Sequence, residues 1–309
     1  MMVLEGQVSS WASTLGSSAV AVGVFDGVHL GHRAVFAAQR ESAPDLPRVV
    51  LTFSIHPASV LARSGSPPLL TTMDRRLELF EMLGVDAVAL IHFDDEVRLI
   101  EPDDFVRRYL VEGLQASTVA VGDDFRFGHE ARGTVETLAA LGRAEGFSVA
   151  AVPEVELDRT PVRSTIIRSR IAAGAVEEAA RLLGRAHDVD GVVVVGGGRG
   201  RAIGIPTANL AVSSEVALPG RGVYGVHVVH GGGRMPGVAN LGVRPTFDGV
   251  EEVLEVHLLD VDLDLYGQTL RVEFVFRIRE ERRFESVDVL IGQIHEDIEG
   301  ARDRLAEVG

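Results

Sequence analysis

The chain has 309 residues, 45 acids against 30 basic residues, no cysteine and a formal net charge of −15. None of its cations is a lysine, which excludes a Walker-type phosphate loop, Schiff-base and thiol nucleophiles, thiolate metal sites and disulfides. The acidic balance argues against a general nucleic-acid partner, and no apolar run reaches the ~18–20 residues of a membrane helix. At roughly 100–200 residues per domain, the length predicts two domains. No basic residue precedes the first apolar stretch, Met1 to Phe25, so a secretory leader is not expected and a soluble, cytoplasmic protein is.

In chain order, short β-branched runs predict strands at 20–25, 48–53, 87–93, 118–121 and 147–152. Helical periodicity falls between them at 32–40, 73–83, 102–112 and 134–145, and again at 164–173 and 176–183. Strands alternating with helices imply βαβ units and a parallel sheet. After about Gly184 the pattern changes: glycine clusters separate strands at 191–195, 223–229, 237–241, 253–259 and 270–278. A last helix is expected over 286–305, with Ser286 as its N-cap and Val289, Leu290, Ile294, Ile298 and Leu305 as its apolar stripe. Bunched strands closed by one helix suggest a small barrel or an α+β domain. The expected division is 1–185 and 186–309.

The turn after the first expected strand reads Gly23-Val-Phe25-Asp26-Gly27-Val-His29-Leu-Gly31-His32. Ligands of parallel sheets bind beyond the carboxyl ends of strands, and a helix N-terminus favours phosphate. His29 and His32, three apart, share a helix face there and could stabilise charge on a phosphoryl group in flight. Seen alone, a His-x-x-His pair is more often non-catalytic. Three further segments end strands or open a helix: Thr52-Phe-Ser54-Ile55-His56-Pro57, Val121-Gly-Asp-Asp124-Phe125-Arg126-Phe127-Gly128 and Arg163-Ser164-Thr165-Ile166-Ile-Arg168. On their own, Phe125 and Phe127 read as core, and Ser164-Thr165 as an ordinary N-cap.

In the second half, Gly196-Gly-Gly-Arg199-Gly200-Arg201-Ala-Ile-Gly204-Ile-Pro206-Thr207-Ala-Asn209 follows a strand. Consecutive glycines can present backbone N–H groups as an anion nest, although a glycine-rich loop by itself is more often a flexible connection. Thr207 and Asn209 offer hard oxygen ligands suited to a Mg²⁺ that keeps phosphate and water as its other partners. In Leu254–Leu258, Glu255 and His257 point to one face and Leu254, Val256 and Leu258 to the other. Glu255 should therefore face a groove or solvent, and strand pattern alone would make it an exposed structural residue.

Taken together, these motifs resemble those of the prokaryotic bifunctional riboflavin kinase/FAD synthetase family, in order and over nearly the whole chain. The HxGH turn is similar to the signature of the nucleotidylyltransferases. Pro206-Thr207-Ala-Asn209 is similar to that of riboflavin kinases. Gly237-Val-Ala-Asn240-Leu-Gly-Val-Arg244-Pro-Thr-Phe247, Leu265-Tyr266-Gly267 and Arg279-Glu-Glu-Arg-Arg-Phe284 also match.

The resemblance implies an α/β nucleotidylyltransferase-type (Rossmann-like) parallel-sheet domain, followed by a small β-barrel riboflavin kinase domain with a C-terminal helix. It implies that riboflavin is phosphorylated by Mg-ATP to FMN, which ATP then adenylylates to FAD, with no nucleic-acid or membrane partner. For adenylyl transfer it implies His29 and His32 as catalytic groups. Gly23, Phe25, Asp26, Gly31, Ser164, Thr165 and Arg168 would bind ATP, with Asp124 and Phe125 at the flavin. For the kinase it implies Gly200, Arg201, Gly204, Thr207 and Asn209 on ATP, the last two on Mg²⁺ as well. Arg279 and Phe284 would meet the flavin, and Glu255 would be the base. The sequence leaves the oligomeric state open.

Two departures stand out. Ser54-Ile55 replaces the family's usual acid or amide followed by proline, and Arg163 and Ile166 alter its usual Ser-Ser-Thr-x-Ile-Arg. They support one alternative, a monofunctional riboflavin kinase with a degenerate adenylyltransferase domain; a rival of another class is a non-catalytic flavin-binding or regulatory protein, which would bind ligand without consuming ATP.

Overall fold

The computed structural model describes residues 1–55, 66–197, 200, 203–246, 249–261 and 263–308. These pack as two units, Met1–Pro67 with Thr72–Arg163, and Pro68–Thr71 with Ser164–Gly309.

The first unit holds β1 (Met2–Leu4), β2 (Ser18–Val22), β3 (Arg48–Phe53), β4 (Ala87–Ile91), β5 (Ala116–Gly122) and β6 (Ser148–Val152). They form one sheet in the order β1-β4-β3-β2-β5-β6 with every pair parallel. Such a sheet must be covered on both faces, and the alternation along its strands supplies two apolar surfaces. Val20, Val22, Leu51, Ile91 and Val121 pack with Phe105, Tyr109 and Leu138 on one side. Ala21, Val50, Val88 and Ala120 pack with Phe25, Phe36 and Phe80 on the other.

Helices α1 (Leu30–Ser42), α2 (Met73–Met82), α3 (Pro102–Phe105) and α4 (Val135–Glu145) fall where the periodicity predicts. The helix expected over 102–112 differs in its second part, because α3 passes into a π segment, Val106–Gly113. The amide of Leu114 reaches back to the carbonyl of Tyr109 at 3.0 Å. The wider turn keeps Val106, Tyr109, Leu110 and Gly113 all buried. A two-strand hairpin, β7 (Glu156–Leu157) and β8 (Thr160–Pro161), completes the unit. β1 is unforeseen, since three residues are too few to show a period.

The chain runs from β2 through β3 to β4 on one side of the sheet and returns to β5 and β6 on the other. Strand order therefore reverses between β2 and β5, which makes the carboxyl ends of these two strands the favoured place for a ligand.

The second unit begins with α5 (Ser164–Ala172) and α6 (Val176–Leu183). Strands β9 (His187–Val194), β10 (Ala208–Val212), β11 (Gly222–His230), β12 (Gly233–Thr246), β13 (Gly249–Leu258) and β14 (Thr269–Glu280) follow. They close a barrel in the order β10-β13-β12-β11-β14-β9, antiparallel throughout. Leu210, Val226, Ala239, Leu241, Leu254, Val256 and Phe274 fill the interior. β10 was not expected, because Ala208-Asn209 follows a glycine- and proline-rich stretch; it pairs with both β9 and β13 and so closes the barrel.

Outside the barrel, Val223, Val238 and Phe276 pack under Ile298, Ala301 and Leu305 of α7 (Val287–Val308). Ser286 caps α7 as expected, its hydroxyl accepting from the amide of Val289 at 3.3 Å. Val289 itself is 53% exposed, because the buried stripe lies in the second half of the helix. Arg277 ties the α5–α6 turn to the barrel, donating to the carbonyls of Arg221 at 2.6 Å and Ala173 at 3.4 Å.

Candidate active sites

At the end of β2 the backbone turns sharply. Phe25, Gly27 and Val28 have φ of 53°, 87° and 43°, a region that side chains rarely adopt. A Cβ on Gly23 would lie 2.9 Å from the Phe25 ring, so only glycine lets that ring fold back into the core. The Phe25 ring is buried against Phe36 and Phe80.

His29 is the N-cap of α1. Its Nδ1 accepts the amide of His32 at 3.3 Å, so a neutral His29 ring carries its proton on Nε2. The rings of His29 and His32 stack with centroids 3.5 Å apart and planes 18° from parallel. Gly31 allows this: a Cβ there would press on His29 and on the Val162 carbonyl at 3.2 and 3.3 Å. Asp26 is buried, as is Arg76 of α2, whose Nη1 donates to the carbonyl of Val24 at 2.8 Å. Burial pushes the Arg76 pKa down, and the Asp26 carboxylate opposes that shift.

The loop after β5, on the neighbouring side of the strand-order reversal, carries Asp124 exposed and Phe125 half-buried. Phe125 stacks on Phe127 at 5.4 Å and 12°, while Phe127 is core against Phe105. The His56-Pro57 pair lies outside the described residues.

Ser164, Thr165 and Arg168 sit on the first turns of α5, in the second unit. Ser164 is half-buried and Thr165 exposed, and Arg168 Nε donates to the Pro68 carbonyl at 2.7 Å. Arg163 is paired with Glu154, a contact that raises its pKa.

In the barrel, the register sets Asn209 of β10 opposite Glu255 of β13, and Glu255 opposite Asn240 of β12. Their neighbours Leu210, Leu254, Val256, Ala239 and Leu241 point inward, so the three polar side chains form one row on the outer face. Sequence reasoning assigns no role to Asn240, although it lies in a motif that carries the resemblance. A Cβ on Gly196 would overlap the Asn209 amide group, and one on Gly200 would lie 3.1 Å from Thr207 Oγ1. These glycines thus form a cradle around the two oxygen donors.

His257 Nδ1 and the Pro206 carbonyl are 2.8 Å apart, which anchors the segment before β10. Beside Thr207 opens a cavity of about 320 Å³, lined by Val193, Val256, Leu258, Leu265 and Tyr266 among others. Gly204 takes φ 79°; Arg201 lies outside the described residues.

Thr207 and Asn209 fit a hard cation in their donor chemistry. Among the described residues no cluster of three His, Asp or Glu side chains could hold a metal by itself.

Arg279 is anchored to the last helix. It binds buried Asp297 of α7, with Nη2–Oδ2 at 2.8 Å and Nε–Oδ2 at 2.9 Å. It also lies over the Phe284 ring at 5.5 Å, and Arg282 does so at 4.8 Å.

An HxGH turn at the strand-order reversal of a parallel sheet, followed by a barrel with a glycine cradle over Thr207 and Asn209, defines a two-part nucleotide-dependent transferase. The family model described as FAD synthetase matches residues 12–166, and that described as riboflavin kinase matches residues 183–305. Three proteins named bifunctional riboflavin kinase/FMN adenylyltransferase are similar over most of their length. That of Escherichia coli (strain K12) is 38% identical over 285 residues, 91% of each chain. That of Pseudomonas fluorescens is 40% identical over 284 residues, 91% of each. That of Bacillus subtilis (strain 168) is 34% identical over 288 residues, covering 91% of this chain and 90% of that one. The chain belongs to the bifunctional riboflavin kinase/FMN adenylyltransferase family.

A crystal structure described as a macrolide-efflux protein from Streptococcus pneumoniae superposes with a TM-score of 0.88 at 32% identity, covering 98% of this chain and 99% of that one. The efflux description stays with that protein. Among the described residues of this chain no helix is long and apolar enough to cross a membrane.

Proposed function

We propose that the chain makes both flavin cofactors in sequence, phosphorylating riboflavin to FMN at the barrel and adenylylating FMN to FAD at the parallel sheet. The observation that carries this reading is the polar row Asn209–Glu255–Asn240 across three adjacent strands of the barrel, beside the glycine cradle.

In the kinase step, the 5′-hydroxyl of riboflavin attacks the γ-phosphorus of ATP. The Glu255 carboxylate accepts the hydroxyl proton, and ADP leaves. A positioned base of this kind contributes ~10²–10⁴ in rate. Thr207 and Asn209 would hold the Mg²⁺ that accompanies ATP, which when bound there supplies neutralising charge to the phosphates. The backbone around Gly200 and Gly204, with Arg201, holds the phosphates, while the nucleoside part of ATP fits the neighbouring cavity. Arg279, held by Asp297, keeps Phe284 at the flavin end.

In the adenylyl step, a phosphate oxygen of FMN attacks the α-phosphorus of ATP and pyrophosphate leaves. The nucleophile is already an anion, so no base is required. His29 and His32 act by orientation and by stabilising charge as it develops. The turn of Gly23, Phe25, Asp26 and Gly31 lets the backbone approach the nucleotide. Ser164, Thr165 and Arg168 supply hydroxyl and guanidinium donors, and Asp124 and Phe125 receive the flavin. A kinase-only chain is disfavoured, since the FAD synthetase model matches residues 12–166 and both histidines are present.

Dependence on ATP is consistent with a cytoplasmic location, and the net charge of −15 disfavours a nucleic-acid partner. The test is a chromatographic time course from riboflavin and Mg-ATP that resolves the flavins. FMN should rise first and FAD follow; FMN accumulating with no FAD over long incubation would refute the second activity.

A further inference from the structure

Arg76 is the one charged residue of α2 that is fully buried, at 1% exposure. An arginine is rarely buried this completely without a specific task. Its Nη1 donates to the carbonyl of Val24 at 2.8 Å, and the hydroxyl of Thr52, from β3, donates to the same oxygen at 3.2 Å. Its charge also interacts with Asp26, which is 2% exposed. Val24 and Asp26 flank Phe25, the first residue of the turn with positive φ, and Val28 repeats that strained geometry just before His29.

Two non-glycine residues in this region, one of them β-branched, persist only where the surroundings over-determine the backbone. Arg76 and Thr52 do so from two separate elements, α2 and β3, through the same carbonyl. Neither is near the HxGH motif in sequence.

We propose that Arg76, assisted by Thr52, is a positioning residue for adenylyl transfer. It fixes the carbonyl of Val24, so that the strained turn delivers His29 and His32 as a stacked pair. This rests on the reading of the first unit as the adenylyl-transfer module.

The test uses the full chain with Arg76→Met, Arg76→Lys and Thr52→Val. Arg76→Met should lower kcat for FAD formation from FMN by roughly 10–100-fold, the effect expected when reacting groups shift by about 1 Å. KM for ATP and FMN should change by no more than about threefold, and riboflavin phosphorylation by the second unit should be unchanged. Arg76→Lys keeps a donor and a charge and should recover part of the loss. In the folded Arg76→Met protein, the imidazole resonances of His29 and His32 should move while those of His92 and His129 stay.

Wild-type kcat in Arg76→Met would overturn the proposal. So would a loss accounted for wholly by unfolded protein, with unshifted His29 and His32 resonances. Should Arg76→Met fail to fold, Thr52→Val decides by the same two readouts, with a loss of about three- to tenfold expected. A wild-type chain that makes no FAD refutes the functional reading instead, and the imidazole resonances then decide the positioning claim by themselves.

Discussion

Asn209 and Glu255 are direct partners across the β10–β13 ladder, with Asn240 on the far side of Glu255. Antiparallel partners hold their side chains ~4.5–5.5 Å apart on one face, so the carboxylate stands between two amides and next to the strand that follows Thr207. Glu255 is half-exposed there, as the proposed role of accepting a proton from a substrate hydroxyl requires. Glu255→Gln preserves shape and removes the base. It should reduce FMN formation by ~10²–10⁴ and leave FMN-to-FAD conversion near wild type. Flavokinase turnover within a factor of two of wild type would remove Glu255 from the mechanism.

Gly196 tests the cradle independently of the base. A methyl group there would overlap the Asn209 amide, and the amide must move to make room. For Gly196→Ala, the Mg²⁺ concentration giving half-maximal FMN formation should rise about tenfold, which corresponds to ~1.4 kcal/mol of lost binding. FAD formation from FMN should keep its own Mg²⁺ dependence. An unchanged titration would show that Asn209 does not hold the ion.

At the other site, His29 has two separable duties, since it caps α1 and also stacks on His32. His29→Asn keeps a cap acceptor and His29→Ala does not; the cap is worth ~1 kcal/mol in stability. Both variants lose the imidazole and should lose FAD formation alike, by about 10²–10³ if the ring stabilises developing charge. Thermal unfolding should separate them, with His29→Ala less stable. FAD formation preserved in His29→Asn would reduce His29 to a structural cap.

Much of this was legible from residue order alone. β-branched runs such as Val49-Val50-Leu51 and helical periods such as that of α1 reflect local preference and burial, which a linear reading detects. The outward direction of Glu255 followed from period-two alternation and holds in the barrel, where Leu254 and Val256 are core. What stayed hidden depends on partners remote in sequence. β10 is a strand because β9 and β13 leave a gap that only another strand can close. Arg76 lies 50 residues from Asp26 in the numbering, and nothing in its helix marks it as different from its neighbour Arg75. Arg279 and Phe25 show the complementary limit: both lie in motifs, yet the side chain of one is bound to Asp297 and that of the other packs in the core.

The helix pair α5–α6 gives a stability prediction. Val176 and Leu183 of α6 are fully buried, Val176 within the same cluster as the barrel interior, and α6 packs on β9 and β14. Gly174, in the turn between the helices, leaves no room for a Cβ beside the Tyr224 hydroxyl and the Arg277 guanidinium. Burying each large aliphatic side chain is worth ~1.5–3 kcal/mol, against a typical total of ~5–15 kcal/mol for a domain. A fragment starting at residue 186 gives up Val176, Leu182 and Leu183 and leaves Arg277 without the Ala173 carbonyl. A fragment starting at 164 keeps all of these. Both lack Leu69, whose amide and carbonyl bind Glu215 and Ala217, so comparing them isolates the helix pair. The 164–309 fragment should melt cooperatively and phosphorylate riboflavin, while 186–309 should melt at least ~10 °C lower. Equal melting temperatures would mean that the helix pair adds nothing to the barrel's stability, and the division at 185/186 would then describe the folding units better.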